Sequence, residues 1–375
     1  MNYRFDKIAF NSTAKKTPTE SDKEHYIGLE HIDSECLEIT RWGSDVAPIG
    51  EKLIMKKGDV LFGKRRAYQR KLAIAPFDGI FSAHGMVLRP NEEVVDKNYF
   101  PFFMSSDLFM ERAVQISVGG LSPTINWKDL REQEFPLPSL AEQKVLAEKL
   151  WAAYRLKESY KKLLVATEEM VKSQFIEMFY NEKYPLQKLK THIDVIRGVS
   201  YKPVDIKEET SDSISVILRS NNISNGQINF DDVVYVDNKR VTTEQVLSKG
   251  DIVMCGSNGS KKLVGKAAMI NTIPSYRTSF GAFCLGIRCK ESILPEYLSV
   301  YFQTPKYREV IEFLGSGSNI LNIKPEHIYN LEIPIPSLED QKHFITIAEQ
   351  ADKSGFELRK SIEAIDQVIK SLINN

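Results

Sequence analysis

Two stretches of the chain place apolar residues at alternating steps of three and four. From Gln143 the seam runs through Leu146, Leu150, Ala153, Lys157, Tyr160, Leu164, Thr167, Val171, Gln174 and Met178, seven of the eleven being apolar. The second runs through Gln341, Phe344, Ala348, Ala351, Gly355, Leu358, Ile362, Ile365, Ile369 and Leu372, eight of ten being apolar. Such spacing gathers each stripe on one face of a helix, and the two stripes share one register. A helix of roughly 40 residues is about 60 Å long, more than the width of a small domain. Neither stripe can therefore be covered by its own domain, and an antiparallel coiled coil between them is expected. Two helices docked separately, or a coil to another chain, are the alternatives.

Between the seams the pattern changes. "DVLFGKRRAY", "GMVLRP", "SVILRS", "DVVYVDN", "DIVMCGS" and "AFCLGIR" are short β-branched or aromatic runs bounded by Gly, Asn, Asp and Pro, which predicts strands. Residues 97–115 and 295–314 are helical patches. The fold class expected is α+β: two similar globular domains (1–138 and 181–336) with spacer helices over 139–180 and 337–375, related by a pseudo-two-fold axis.

The duplication is written most plainly where each helix begins. "FPLPSLAEQK" starts at Phe135 and "IPIPSLEDQK" at Ile333, an offset of 198 (333 − 135) that also brings Gly119 onto Gly317 and Ile125 onto Ile323. Further upstream "KKGDVLF" (56–62) matches "SKGDIVM" (248–254) at an offset of 192, so the halves differ by insertions after this point. A period this long is a domain duplication and not a solenoid. The prolines favour an extended approach. Ser139 and Ser337 then stand as N-caps, with Glu142 and Asp340 three residues on to complete or approximate a capping box.

Composition narrows the class. At 375 residues the chain suits two domains or more, and 50 Lys and Arg balance 50 Asp and Glu. The N-terminus "MNYRFDKIAF" lacks an apolar signal core and no run suits a membrane span, so a soluble, cytoplasmic protein without a membrane partner is expected. Cys36, Cys255, Cys284 and Cys289 have no metal-knuckle spacing and read as reduced thiols, mostly in the core.

Zero net charge hides local bias. From Gly50 to Lys71 there are eight basic residues against two acids, and "GKRRAYQRK" (63–71) interleaves bases with Tyr68 and Gln69. From Lys249 to Lys266 four bases face Asp251 within "CGSNGSKKLVGK". Small residues let a backbone approach phosphate, while Asn, Gln, Lys and Arg can read base edges. The candidates are Lys64, Arg65, Arg66, Tyr68, Gln69, Arg70, Lys71 and His84 in the first half, and Arg219, Asn221, Asn222, Ser257, Asn258, Lys261 and Lys262 in the second. The bland alternative is a pair of solvated basic loops.

Catalytic signatures are missing. There is no GxxxxGK[ST] loop, HExxH or GxSxG, and "FLGSGSN" (313–319) lacks the third glycine of a dinucleotide fingerprint. Glu142-Gln143-Lys144 and Asp340-Gln341-Lys342 resemble the acid-x-Lys end of a nuclease site, but a first-turn position fits capping better. His84 has no Ser, Cys or acid cluster with which to build a triad. No metal site is expected.

With its paired P-x-P-S-L phrases, its long helices, "KKGDVLFGKRRAYQRK" and "GMVLRP", the whole chain resembles the specificity subunit of Type I restriction-modification systems. The resemblance implies two target-recognition domains alternating with two helical regions, in a non-catalytic subunit of an endonuclease and adenine-methyltransferase complex. It implies double-stranded DNA with a bipartite site as ligand. Methyltransferase subunits, two of them, would dock on the spacer, at Ser139, Leu146, Leu150, Leu164 and Val171 and at Ser337, Phe344, Leu358, Ile362, Ile365 and Ile369. Restriction subunits would join the full complex. S-adenosylmethionine, ATP and magnesium would sit on those partners, with no cofactor in this chain. The rival reading is a duplicated protein–protein adaptor without direct DNA readout.

Overall fold

The computed structural model describes residues 1–208, 211–272, 276–314 and 322–374. Most of the "FLGSGSN" fragment, including Gly317, lies outside them. The chain divides into two compact units, one of Met1–Lys161 with Lys360–Asn375 and one of Lys162–Arg359. The division cuts both long helices, Leu140–Phe179 and Leu338–Asn374, so each unit holds one globular domain and half of each helix.

In the first unit, Asn2–Arg4 pairs antiparallel with Glu134–Pro136, so the strand entering the domain closes on the one leaving it. One four-stranded sheet has the order Ala9–Ser12, Met86–Pro90, Val60–Phe62, Leu72–Ile74. A second has the order Lys15–Lys16, Lys52–Met55, Gly79–Phe81, Tyr26–Ile27. The core is aromatic: Phe5, Phe62, Phe103, Phe109 and Phe135 are buried, and the Phe109 and Phe135 rings lie 5.5 Å apart. Ala147, Leu150 and Tyr154 of the first long helix and Ile369 of the second join this core.

The second unit repeats part of this plan. Leu186–Lys188 pairs with Glu332–Pro334, and one sheet runs Ile193–Arg197, Cys284–Cys289, Ile252–Cys255, Ala267–Met269. Each of these strands holds the place of its counterpart in the first unit. The other sheet departs. Both units keep a parallel pair, Tyr26–Ile27 with Gly79–Phe81 and Ile214–Leu218 with Thr278–Phe280. However, Lys52–Met55 adds to the second member of its pair, whereas Val234–Asp237 adds to the first. The shared scaffold is therefore one sheet, and the other is rebuilt. Phe175, Phe179, Tyr297, Tyr301 and Phe344 fill the core of this unit.

The two helical patches expected over 97–115 and 295–314 are each broken in two. Ser106 leaves helical geometry and its hydroxyl accepts from the Phe109 amide at 3.1 Å; Thr304 does the same for Tyr307 at 3.3 Å. A hydroxyl at that position competes with the helix and restarts it.

All seam positions of both helices are buried or half-buried. In the first unit Lys157 meets Asp366 at 2.8 Å. In the second, a Cβ on Gly355 would lie 3.3 Å from Leu164, and the Phe175 and Phe344 rings are 5.4 Å apart. Partners that rise along one helix fall along the other, so in the second unit the two run antiparallel. The first seam position has another task. Gln143, fully buried, accepts from the Asp96 amide (2.8 Å) and donates to the carbonyls of Val94 (3.1 Å) and Pro138 (2.9 Å). Gln341 repeats every bond 198 residues on, with Leu294 (2.8 Å), Ser292 (3.1 Å) and Pro336 (2.9 Å).

The capping expectation is met at atomic level. Ser139 Oγ accepts from the Glu142 amide at 3.3 Å, and Glu142 accepts from the Ser139 amide at 2.9 Å. Ser337 Oγ accepts from the Asp340 amide at 3.1 Å and donates to the Asp340 carboxylate at 2.9 Å. Bonds from Ser139 hold the Glu142 carboxyl below its usual range, and bonds from Ser337 and then Tyr184 do so for Asp340. These acids are engaged in helix starts, as a first-turn position requires.

Candidate nucleic-acid interface

The two basic stretches chosen from sequence occupy one structural position. Residues 63–71 connect Val60–Phe62 to Leu72–Ile74, and residues 256–266 connect Ile252–Cys255 to Ala267–Met269, the matching hairpin of the other unit. Each is stitched to the strand-like segment that precedes the helix joint. The Ile125 amide donates to the Lys64 carbonyl at 2.9 Å and the Ile323 amide to the Gly256 carbonyl at 2.8 Å; Arg65 bridges Thr124 as Ser257 bridges Asn322.

A buried acid supports each hairpin. Asp59 holds Arg89 at 2.7 Å and accepts from the Lys56 amide, and Asp251 holds Arg288 at 2.7 Å and accepts from the Ser248 amide. The glycine before each acid, Gly58 and Gly250, has φ near +90°, which a side chain would strain. Asp59 and Asp251 are thereby neutralised by arginines outside the basic loops.

In the first loop Arg65, Arg66 and Tyr68 are exposed, while Lys64 and Gln69 are half-buried. Burial, and secondarily the Lys15 charge, lower the pKa of Lys64 from its ordinary value. Arg66 and Arg70, which flank the short turn Ala67–Gln69, both adopt left-handed backbone (φ 58° and 49°), uncommon for residues other than glycine. The Arg66 amide donates to the Pro123 carbonyl at 2.7 Å and its Nε to Ser122 Oγ at 3.3 Å. His84 is exposed beside the loop, its carbonyl accepting from the Arg65 amide at 3.3 Å. Two candidates are tied inward. Arg70 pairs with Asp107 at 2.5 Å and with Glu35, and Lys71 donates to the Leu29 carbonyl at 2.6 Å.

In the second unit Asn258 donates to Ser220 Oγ at 3.1 Å and its own carboxamide oxygen accepts from the Ser260 amide, which brings residues 219–222 beside residues 257–262. Lys261 and Lys262 are exposed, and Ser257 and Asn258 half-buried. Asn222 is a correction. Its side chain is fully buried, accepting from the Arg219 amide at 2.8 Å and donating to the Asp232 carbonyl at 3.1 Å, so it shapes the turn and does not face outward. Arg219 and Asn221 both hold the Asp232 carboxylate, at 2.9 and 2.8 Å.

Sequence reasoning missed Phe283. It is 71% exposed, and its carbonyl accepts from the amides of Gly256 (2.8 Å) and Ser257 (3.0 Å). It stands where His84 stands in the other unit. The signal was present in the aligned phrases "FSAHGMVLR" (81–89) and "FGAFCLGIR" (280–288).

Among the described residues no three His, Cys, Asp or Glu side chains gather as a metal site, and no helix is long and apolar enough to cross a membrane. Burial pushes the thiol of Cys255 up to about 11 and those of Cys284 and Cys289 up to about 12, against thiolate chemistry there.

The family model described as the Type I restriction modification DNA specificity domain matches twice, at residues 10–166 and 195–367. The chain is 38% identical over 185 residues to the Type I restriction enzyme StySPI specificity subunit of Salmonella potsdam, covering 48% of this chain and 39% of that protein. It is 35% identical over 192 residues to the EcoKI specificity subunit of Escherichia coli K12, covering 50% and 40%. These matches thus span about two fifths of those relatives' lengths. A structure described as the basis of complex assembly and conformational transition of the type I R-M system superposes with a TM-score of 0.61 at 17% identity, covering 100% of this chain and 96% of that one. The S subunit structure from M. genitalium gives 0.54 at 14%, covering 100% and 94%, and both likenesses concern the fold. With two copies of the domain covering most of its length, the chain belongs to the Type I restriction-modification DNA specificity family.

Proposed function

We propose that this chain is the non-catalytic sequence-reading component of a Type I restriction-modification enzyme. Each domain reads one half of a bipartite, asymmetric DNA site, and the helices set the gap and dock methyltransferase subunits, two per chain, through which restriction subunits join. S-adenosylmethionine, ATP and magnesium belong to those partners. The observation that carries this reading is the pair of equivalent hairpin loops on a duplicated sheet: the scaffold is constant, while the loop residues at matching positions differ, exposed Arg65-Arg66 in one copy and half-buried Ser257-Asn258 in the other. A protein reading two unlike half-sequences requires that combination. Lys64, Arg65, Arg66, Tyr68, Gln69 and His84 are the contacts assigned to the first half-site, and Ser257, Asn258, Lys261 and Lys262 those assigned to the second. Arg70 and Lys71, held inward, keep the first loop in shape.

The test is to exchange residues 1–138 for the corresponding domain of another specificity subunit and map methylated sites in a host carrying the partner methyltransferase. One half of the recognised sequence should change and the other stay. Simultaneous change of both halves would sink the modular reading, and absence of salt-sensitive, sequence-dependent DNA binding by the assembled complex would favour a protein–protein adaptor.

A further inference from the structure

We propose that Phe283 is a specificity-determining residue that reads a thymine methyl group in the half-site of the second domain; this rests on the DNA-reading function proposed above. Phe283 is a large apolar side chain left 71% exposed, beside the candidate loop. Its backbone is fixed to the candidate loop by the two amides of Gly256 and Ser257 on its carbonyl, so the residue that carries this exposed ring sits directly beside Ser257 and Asn258. It is not a stray surface residue, because its counterpart His84 is also exposed and also holds the neighbouring loop through its carbonyl.

The two side chains differ in chemistry. Imidazole can donate or accept a hydrogen bond at a base edge, whereas a phenyl ring can do neither. Ser257 and Asn258 already bring polar groups to this surface, and Lys261 and Lys262 bring charge. What the ring adds is an apolar contact, and among the four bases only thymine offers an apolar group, its C5-methyl, in the major groove. The equivalent position thus carries a polar reader in one domain and a methyl reader in the other.

The experiment uses the full chain assembled with its methyltransferase and a randomised duplex DNA library, selected with the wild type and with Phe283→Ala and Phe283→Leu. The wild type should select thymine at one position of one half-site, and replacing that thymine by deoxyuridine should weaken binding about fourfold, as expected for one buried methyl. Phe283→Ala should lose both the preference and the deoxyuridine effect, Phe283→Leu should retain them, and the other half-site should be unaffected. A two-part sequence whose thymines are insensitive to residue 283 overturns this inference alone. So does a rise in 2-aminopurine fluorescence at the site without a deoxyuridine effect, since that marks insertion of the ring between base pairs. A complex that selects no sequence overturns the DNA-reading function together with it.

Discussion

Gln341 is fully buried and satisfies three backbone groups at the joint between domain and helix, as Gln143 does in the other unit. Gln341→Leu preserves bulk but strands the Leu294 amide and the carbonyls of Ser292 and Pro336. Because a buried polar group without a partner costs about 1–3 kcal/mol, the variant should lose at least that much in urea unfolding, and Gln143→Leu should match it. His192 gives a second residue-scale prediction. Its Nδ1 lies 2.7 Å from Ser292 Oγ, its Nε2 is buried without a partner, and burial, then the Lys290 charge, lower its pKa from the ordinary 6.5. The unfolded chain therefore takes up the proton first, and stability falls as pH drops through about 6.5 towards the folded-state value. His192→Gln should remove that part of the acid sensitivity, as measured by melting temperature between pH 7.5 and about 5. The glutamines were visible in the sequence as part of a repeated phrase, but heptad counting gave them to the helix seam. A period of 3.5 residues identifies a covered face without saying what covers it.

At the scale of elements, the seam contains one charged position, and it is paired. Lys157 is 8% exposed in its side chain and meets Asp366, 39% exposed, at 2.8 Å. Removing only the acid leaves a buried ammonium, so Asp366→Ala should destabilise the chain by roughly 1–3 kcal/mol, toward the lower part because the acid is partly solvated. Replacing both with Lys157→Met and Asp366→Leu should recover the loss or exceed wild type, since a well-packed apolar pair avoids the desolvation penalty. Paired unfolding curves of the single and double variants check both statements. The helices themselves were legible because forty residues of one repeat, bounded by a Pro-x-Pro-Ser start, leave little freedom. The two central strands of the shared sheet in each unit, Val60–Phe62 with Met86–Pro90 and Ile252–Cys255 with Cys284–Cys289, were legible as apolar and β-branched runs, as were Ile214–Leu218 and Val234–Asp237 of the other sheet, while the flanking strands were not. The altered order of the second sheet was not legible, because its partners are chosen by long connections such as 28–51 and the Asn-rich 219–233, whose largely polar, Gly-containing sequence carries no period. Asn222 was misassigned for the same reason: an asparagine in such a connection looks alike whether it turns outward or caps its own turn.

For the whole molecule, 50 basic and 50 acidic residues leave no general attraction for a polyanion. Any affinity for DNA in this chain must come from local excess. In the proposed reading the exposed Arg65, Arg66, Lys261 and Lys262 would provide it, because Arg70 and Lys71 are already spent on Asp107 and on the Leu29 carbonyl. Each phosphate contact contributes about −0.9 to the slope of log affinity against log salt concentration. In the assembled complex, Arg66→Ala should therefore flatten that slope by about one and weaken all sequences nearly equally, if Arg66 contacts phosphate. Asn258→Ala should leave the slope unchanged and relax one base position of the second half-site, at a cost of about 1–3 kcal/mol in discrimination. The chain alone should show a shallower slope and weaker binding than the complex, since on the proposed function its balanced charge would leave much of the phosphate neutralisation to the partner subunits. Fluorescence anisotropy titrations over a range of salt concentrations separate these outcomes: equal slopes for wild type and Arg66→Ala would remove Arg66 from the phosphate contacts, and a lone chain binding as tightly as the complex would refute the division of labour inferred from its neutrality.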